Sequence, residues 1–204
     1  SLKGVLETPQ PCRIRHFQGT KRKIPWSLEM LKTKASWVGV NTHLTNALVK
    51  EAWELKNLWP NFPQSQGEVS INSSSRIDRV FWKDSKLNKV DKTTLKNHSL
   101  HFVEIKNVSM KVGEAACFPD AITLRGQKHL EELMGLLSQG HTCEMVYVVQ
   151  REDCREFTPA DNIDKEYGQK LRKAFQQGLK ISVYPCRLRA SSIELLTKPL
   201  SVKL

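Results

Sequence analysis

In the run Phe102-Val103-Glu104-Ile105-Lys106-Asn107-Val108 a carboxylate and an amine stand two residues apart within an otherwise mostly apolar stretch. Strand side chains alternate faces, so as a strand this run sets Glu104 and Lys106 side by side and sends Val103 and Ile105 the other way. Opposite charges on one face of a hydrophobic strand are costly, and that cost is usually accepted where a metal ion or a reacting group uses them. About 25 residues upstream, Ser75-Arg76-Ile77-Asp78-Arg79-Val80-Phe81 carries a second carboxylate inside another strand-like run. An acid on one strand and Glu-x-Lys on its neighbour fit metal-dependent phosphodiester hydrolysis. Asp78 and Glu104, helped by the Ile105 carbonyl, would hold Mg²⁺ or Mn²⁺, because such an ion needs only one or two carboxylates plus waters and phosphate oxygens. Lys106 would orient or deprotonate the attacking water.

Spacing alone is not specific, since Glu54-Leu55-Lys56 repeats it in a helical stretch. On a helix, residues two apart diverge by about 200° and cannot share a site. An ordinary strand-face ion pair competes with the catalytic reading of Glu104 and Lys106. Glu51, near Val49, Ala52 and Trp53, and Glu68, on the first core strand, could each supply a third acid or be solvated carboxylates. Asp120, in Pro119-Asp120-Ala121, reads first as a helix N-cap. Arg125, Lys128 and His129 are expected on the surface of that helix, away from its leucine stripe, where they could bind phosphates with Arg76, Arg79 and Lys21-Arg22-Lys23.

The elements that would position these groups follow from periodicity. Residues 1–35, with Pro9, Pro11 and Pro25, read as irregular or edge-strand material. Leu44, Leu48, Ala52 and Leu55 predict a helix over 41–56, capped by Thr42 or Thr45. Strands are expected at 66–71, 75–82 and 100–108, with 83–99 a long, lysine-rich loop. Leu130, Leu133, Met134 and Leu137 mark a helix over 121–139 that Gly140 ends. The apolar run 145–149 predicts a parallel strand covered on both faces. A helix over 164–177 and a strand at 180–184 complete a mixed α/β sheet flanked by helices. Trp37, Trp53 and Trp82 are assigned to packing.

Composition narrows the function. With 204 residues and 39% apolar content, one main domain with a real core is expected. A net charge of +11 favours a polyanionic partner such as nucleic acid, solubility being the plainer reading. Five scattered cysteines without a CxxC spacing suggest neither a disulfide framework nor a thiolate zinc site, so the chain reads as intracellular, in cytoplasm or nucleoid or nucleus. No apolar run is long enough to span a membrane. The chain begins with Ser rather than Met, which suggests a processed fragment whose absent N-terminal segment could have carried targeting information. No P-loop, dinucleotide glycine fingerprint or GxSxG elbow is present, which argues against nucleotide-dependent and serine-nucleophile enzymes.

Several segments in one order carry a family resemblance: Trp37-Val38-Gly39-Val40-Asn41-Thr42, Ser75-Arg76-Ile77-Asp78, the run 102–108, Phe118-Pro119-Asp120-Ala121, Arg125-Gly126-Gln127-Lys128-His129-Leu130 and Val148-Val149-Gln150-Arg151. From about residue 20 onward the chain resembles the sugar fermentation stimulation protein family, SfsA. The resemblance implies a PD-(D/E)XK nuclease-like core and DNA binding without sequence preference, linked to the regulation of sugar metabolism. It makes Asp78, Glu104 and Lys106 the nuclease-like triad and Glu51 the helix carboxylate of that superfamily. It matches Asp120, Arg125, Lys128 and His129 to a family motif without assigning them a role. Family members look as though they carry an N-terminal OB-like barrel, of which residues 1–38 would be a remnant before a nuclease-like domain at 39–204. The 83–99 segment looks longer than the family's usual connection. The leading expectation is a DNA-binding protein with a Mg²⁺-dependent nuclease site. The rivals are a non-catalytic DNA-binding regulator and a protein-interaction module for an acidic partner.

Overall fold

A computed structural model describes residues 2–19, 23–91 and 93–204. An N-terminal antiparallel sheet joins β1 (Cys12–His16), β2 (Trp26–Lys32) and β3 (Trp37–Gly39). The chain then forms α1 (Leu44–Glu54), β4 (Gln64–Ser70), β5 (Arg76–Trp82), the short α2 (Thr94–Asn97), β6 (His101–Val108), β7 (Lys111–Val112) and β8 (Ala115–Phe118). It continues through α3 (Leu124–Ser138), β9 (Thr142–Val149), β10 (Glu156–Pro159), α4 (Lys165–Gln176), β11 (Lys180–Leu188), β12 (Ile193–Leu195) and β13 (Ser201–Val202).

The central sheet has six strands in the order β12-β11-β9-β6-β5-β4. Its middle is parallel, β6 on β9 and β9 on β11, while β4, β5 and β12 add antiparallel edges. The expected parallel strand is β9, buried along almost its whole length as its apolar run requires. Alternation on β6 works as its sequence implies. Phe102 and Val108 join the core under α3 and α4, whereas Val103 and Ile105 join the core under α1. Leu130, Leu133 and Leu136 of α3 and Leu171 and Ala174 of α4 cover the first face. Leu48, Val49 and Ala52 of α1 cover the second. Of the three tryptophans assigned to packing, Trp82 is buried, while Trp37 and Trp53 pack half-buried against the α1 core.

Several local expectations are corrected. The N-cap of α1 is His43, with no side-chain capping bond; Thr42 precedes the cap, and Thr45 lies inside the helix, its hydroxyl donating to Asn107 Oδ1 at 3.3 Å. The cap of α3 is Thr123, whose hydroxyl accepts the Gly126 N–H at 3.0 Å, and not Asp120. The 83–99 segment is not a plain loop. Val90 is buried, Gln66 bonds its N–H and carbonyl at 2.9 and 3.3 Å, and Asp91 Oδ1 holds the N–H groups of Thr93 and Thr94 at the start of α2. A second sheet, β13-β10-β8-β7, was not legible in the sequence, since its strands are only two to four residues long. Among the described residues no helix is long and apolar enough to cross a membrane.

A buried polar knot fastens the N-terminal sheet and α1 to the core. Gln150 is fully buried, and its amide donates to Asn107 Oδ1 at 2.6 Å and to Thr45 Oγ1 at 3.3 Å, while Gly39 N–H donates to its carbonyl at 2.8 Å. Gly39 must lack a side chain, because a Cβ there would lie 2.4 Å from Gln150 Oε1. Gly39→Ala should lower stability by about 1–3 kcal/mol, read by thermal or denaturant unfolding; an unchanged midpoint would contradict this packing.

A second buried group reports on pH. Glu144 on β9 accepts the Trp59 indole N–H at 2.9 Å and has His101 and Lys180 nitrogens at 3.3 Å. Burial alone would raise its pKa, but bonds from His101, Ser182 and Trp59 and the charge of Lys180 outweigh it and hold it at about 2. A depressed carboxyl stabilises the fold above its unfolded pKa and loses that contribution as pH falls through the folded value. Stability should therefore fall between about pH 4.5 and pH 2, and Glu144→Gln should flatten this part of the profile in acid titrations of the unfolding midpoint.

Candidate active site

The site lies where the central sheet opens. The antiparallel ladder of β5 and β6 pairs Phe81 with His101, Val80 with Phe102 and Arg79 with Val103, and stops there. One step further Asp78 and Glu104 face each other, and carboxylates replace carbonyls as acceptors. Ile105 N–H donates to Asp78 Oδ2 at 2.8 Å, and Asp78 N–H to Glu104 Oε2 at 3.4 Å. The next ladder breaks at the same level. Gly67 pairs with Arg79 and Val69 with Ile77, while Glu68 between them has a φ of 54°, left-handed backbone that strains a residue with a Cβ. Glu68, Asp78 and Glu104 thus occupy corresponding positions on three adjacent strands.

Glu104 is only 1% exposed. Lys106 Nζ stands 2.6 Å from Oε1, His129 Nδ1 bonds the same oxygen, and Arg125 Nε donates to His129 Nε2 at 3.4 Å. A guanidinium offers only donors, so Nε2 must accept; the ring proton then sits on Nδ1 and is donated to Glu104. Burial would raise the Glu104 pKa, but the hydrogen bond from His129 and the charge and hydrogen bond of Lys106 win and hold it below the ordinary carboxylate value. Asp78 is shifted the opposite way. Burial and then the negative charge of Glu104 raise its pKa, and the Ile105 N–H, Asn46 Nδ2 at 3.0 Å from Oδ1 and Lys106 offset this only in part.

Glu104 is therefore held ionised, while burial and then the charge of Glu104 weigh against ionising Asp78, so a cation placed between the two would favour the charged form of Asp78. An all-oxygen donor set of this kind suits Mg²⁺, Mn²⁺ or Ca²⁺. Among the described residues no group of three His, Cys, Asp or Glu side chains converges closely enough to enclose a metal. A two-carboxylate site leaves the remaining positions for water and substrate oxygens, which is how Mg²⁺ is usually held. Beside the pair, a hollow of about 640 Å³ is lined by Arg76, Arg125, Lys128, His129 and the 72–75 turn. A second hollow of about 460 Å³ is lined by His43, Asn46, Ile105, Lys106 and Asn107, and Glu68 borders both.

The residues singled out in the sequence divide clearly. Asp78, Glu104 and Lys106 come together, and Arg76, Arg125 and Lys128 lie exposed at the rim. His129 is buried against Glu104 rather than displayed on the surface of α3. Glu51 is exposed, and the α1 residue that reaches Asp78 is Asn46, about 140° away round the helix. Lys23 is exposed, while Lys21 and Arg22 lie outside the described residues. Asp120 is half-buried just before the α3 cap. The roles of Asn46 and His129 were missed. Asn is a poor helix former, a weak hint of a task, and His129 lies four residues before Leu133 and next to Leu130, on the inward side of α3.

Comparison with known proteins bears on this geometry. A family model described as the sugar fermentation stimulation protein RE domain matches residues 43–192. The sugar fermentation stimulation protein homolog of Bdellovibrio bacteriovorus is 40% identical over 216 aligned positions, covering 100% of this chain and 84% of that protein. Its counterpart in Microcystis aeruginosa is 38% identical, covering 93% of this chain and 75% of that protein. The solved structure of Pyrococcus furiosus SfsA in complex with Ca²⁺ shares the fold with a TM-score of 0.76 at 22% identity, covering 96% of this chain and 78% of that one.

The strained charge on Asp78 makes a testable statement. Its raised pKa means that the folded state holds the proton more tightly than the unfolded state, so stability falls as pH climbs through the carboxylate range. Asp78→Asn should therefore melt at a higher temperature than the native chain at neutral pH. MnCl₂ should raise the melting temperature of the native chain and leave the variant unmoved. A variant that melts lower, or gains equally from the metal, would contradict this electrostatic picture.

Proposed function

The chain belongs to the sugar fermentation stimulation protein (SfsA) family, and on that premise we propose that it binds DNA without sequence preference and hydrolyses phosphodiester bonds with a divalent cation, Mg²⁺ or Mn²⁺. The observation that carries this reading is the facing of Asp78 and Glu104 where the β5–β6 ladder opens, with Lys106 two residues on and a basic hollow alongside. That the Pyrococcus furiosus SfsA structure is a complex with Ca²⁺ supports a divalent cation as ligand for this chain, and such ions favour oxygen donors.

Asp78 and Glu104 are the residues that would hold the cation, which when bound polarises a phosphate and lowers the pKa of a bound water. His129, its tautomer set by Arg125, keeps Glu104 ionised and fixes its orientation. Lys106 spends one N–H donor on Glu104, and its remaining donors can position a water or hydroxide against a phosphate and stabilise its charge. Arg76, Arg125 and Lys128 neutralise neighbouring phosphates, and a net charge of +11 draws the polyanion in.

A second reading has its own observation. Lys106 and His129 already satisfy Glu104, so these charges can persist without turnover, and the chain would then be a non-catalytic DNA-binding regulator. Incubation with supercoiled, linear duplex and single-stranded DNA in Mg²⁺ or Mn²⁺ separates the two. For a nuclease, Glu104→Ala should reduce cleavage at least on the order of 100-fold while salt-sensitive binding persists. Binding by the native chain without cleavage of any substrate would leave the regulatory reading, and full cleavage by the variant would remove Glu104 from the mechanism.

A further inference from the structure

Among the described residues, Ile122 and Leu124 are the most exposed large apolar side chains, at 72% and 73%. They are not loose. Thr123 between them, with φ −129° and ψ 81°, is the N-cap of α3 and is pinned on its inner side. Its N–H donates to Asp164 Oδ2 at 2.9 Å, and its hydroxyl accepts the Gly126 N–H at 3.0 Å. Asp164 is itself buried and is bonded by Gln127 and by the Tyr167 N–H, both at 2.9 Å. With Thr123 bonded inward through both its N–H and its hydroxyl, Ile122 before it and Leu124 after it stand outward in solvent. The fold thus fixes two apolar side chains in water, an arrangement that contributes nothing to the core.

Their surroundings indicate what covers them. Leu124 lines the same hollow as Arg76, Arg125, Lys128 and His129. A ligand that fills the hollow must carry anionic groups for the cations and apolar surface for Leu124, with Ile122 exposed two residues before it. Stacked duplex DNA offers phosphates outward but keeps its base faces hidden, whereas a single strand offers both at once. Apolar wedges against unstacked bases are an established device in DNA recognition.

We propose that Ile122 and Leu124 form an apolar platform for an unstacked base, which makes single-stranded or locally opened DNA the preferred ligand of the cleft. This rests on the DNA-binding reading above and specifies its substrate class. Phosphates flanking that base lie against Arg76, Arg125 and Lys128, and the platform holds the strand beside the Asp78–Glu104 pair.

The test compares the native chain with the double variant Ile122→Ser/Leu124→Ser. Both residues are exposed, so the fold should persist, as circular dichroism melting would verify. Fluorescence anisotropy with a labelled single-stranded oligodeoxynucleotide and with its duplex, over a series of salt concentrations, gives the readout. Single-strand affinity should fall roughly tenfold and duplex affinity should change little. The slope of log affinity against log salt should stay the same, because the phosphate contacts remain. Unchanged single-strand affinity, or equal losses for both ligands, would overturn the platform while leaving DNA binding standing. Failure of the native chain to bind either oligonucleotide would instead overturn the DNA-binding reading and the platform with it.

Discussion

A negative charge buried in the middle of a sheet is the constraint around which this molecule is organised. Glu104 sits on the apolar face of β6 that α3 covers, where an uncompensated carboxylate would be prohibitively costly. Lys106 supplies one counter-charge from the same face of the same strand, as strand geometry permits at a spacing of two. His129 supplies the second contact from α3, and Arg125 one turn before it settles which ring nitrogen carries the proton. The helix, the strand and the basic rim are thereby coupled through one oxygen of one carboxylate.

The same charge determines how the neighbouring strand ends its pairing. Asp78 stands opposite Glu104, and two carboxylates at adjoining positions repel unless a cation or a proton intervenes. The ladder gives way there, the Ile105 and Asp78 N–H groups turn to carboxylate oxygens, and Asn46 reaches in from α1. Glu68 on the third strand carries the strained backbone at the same level. α1 can deliver Asn46 because Thr45, its neighbour in sequence, is tied into the knot with Asn107 and Gln150 on the far face of the sheet. The polar network that fastens the N-terminal sheet also places the helix residue nearest the candidate site.

Residues bearing no charge complete the logic. The exposed pair on either side of Thr123 is held out by a cap that α3 needs in any case, and the cap is braced by the acid that starts α4. An acceptor at a helix N-terminus satisfies one of the first unpaired N–H groups, as the Thr123 hydroxyl does for Gly126. Once Thr123 serves, its neighbours must face solvent or a ligand. The contact between α3 and α4 therefore governs what the cleft presents at its mouth.

What could be read from the chain was whatever depends on neighbours in sequence. Period-two alternation put Glu104 and Lys106 on one face of β6, a period near four revealed α1, α3 and α4, and an unbroken apolar run marked β9 as covered on both sides. The order of motifs pointed to the family. Other features belong to the tertiary structure, because they depend on groups far apart in the chain. The facing of Asp78 and Glu104 is a matter of strand register, and the inward turn of His129 follows from how α3 lies on the sheet. The choice of Asn46 over Glu51 follows from the rotation of α1, and the short strands of the second sheet exist only through partners that are remote in sequence. Local periodicity specifies which face a side chain takes within its own element. Register, helix rotation and long-range pairing are settled by packing all elements together, and the chemistry of the cleft is assembled at that level.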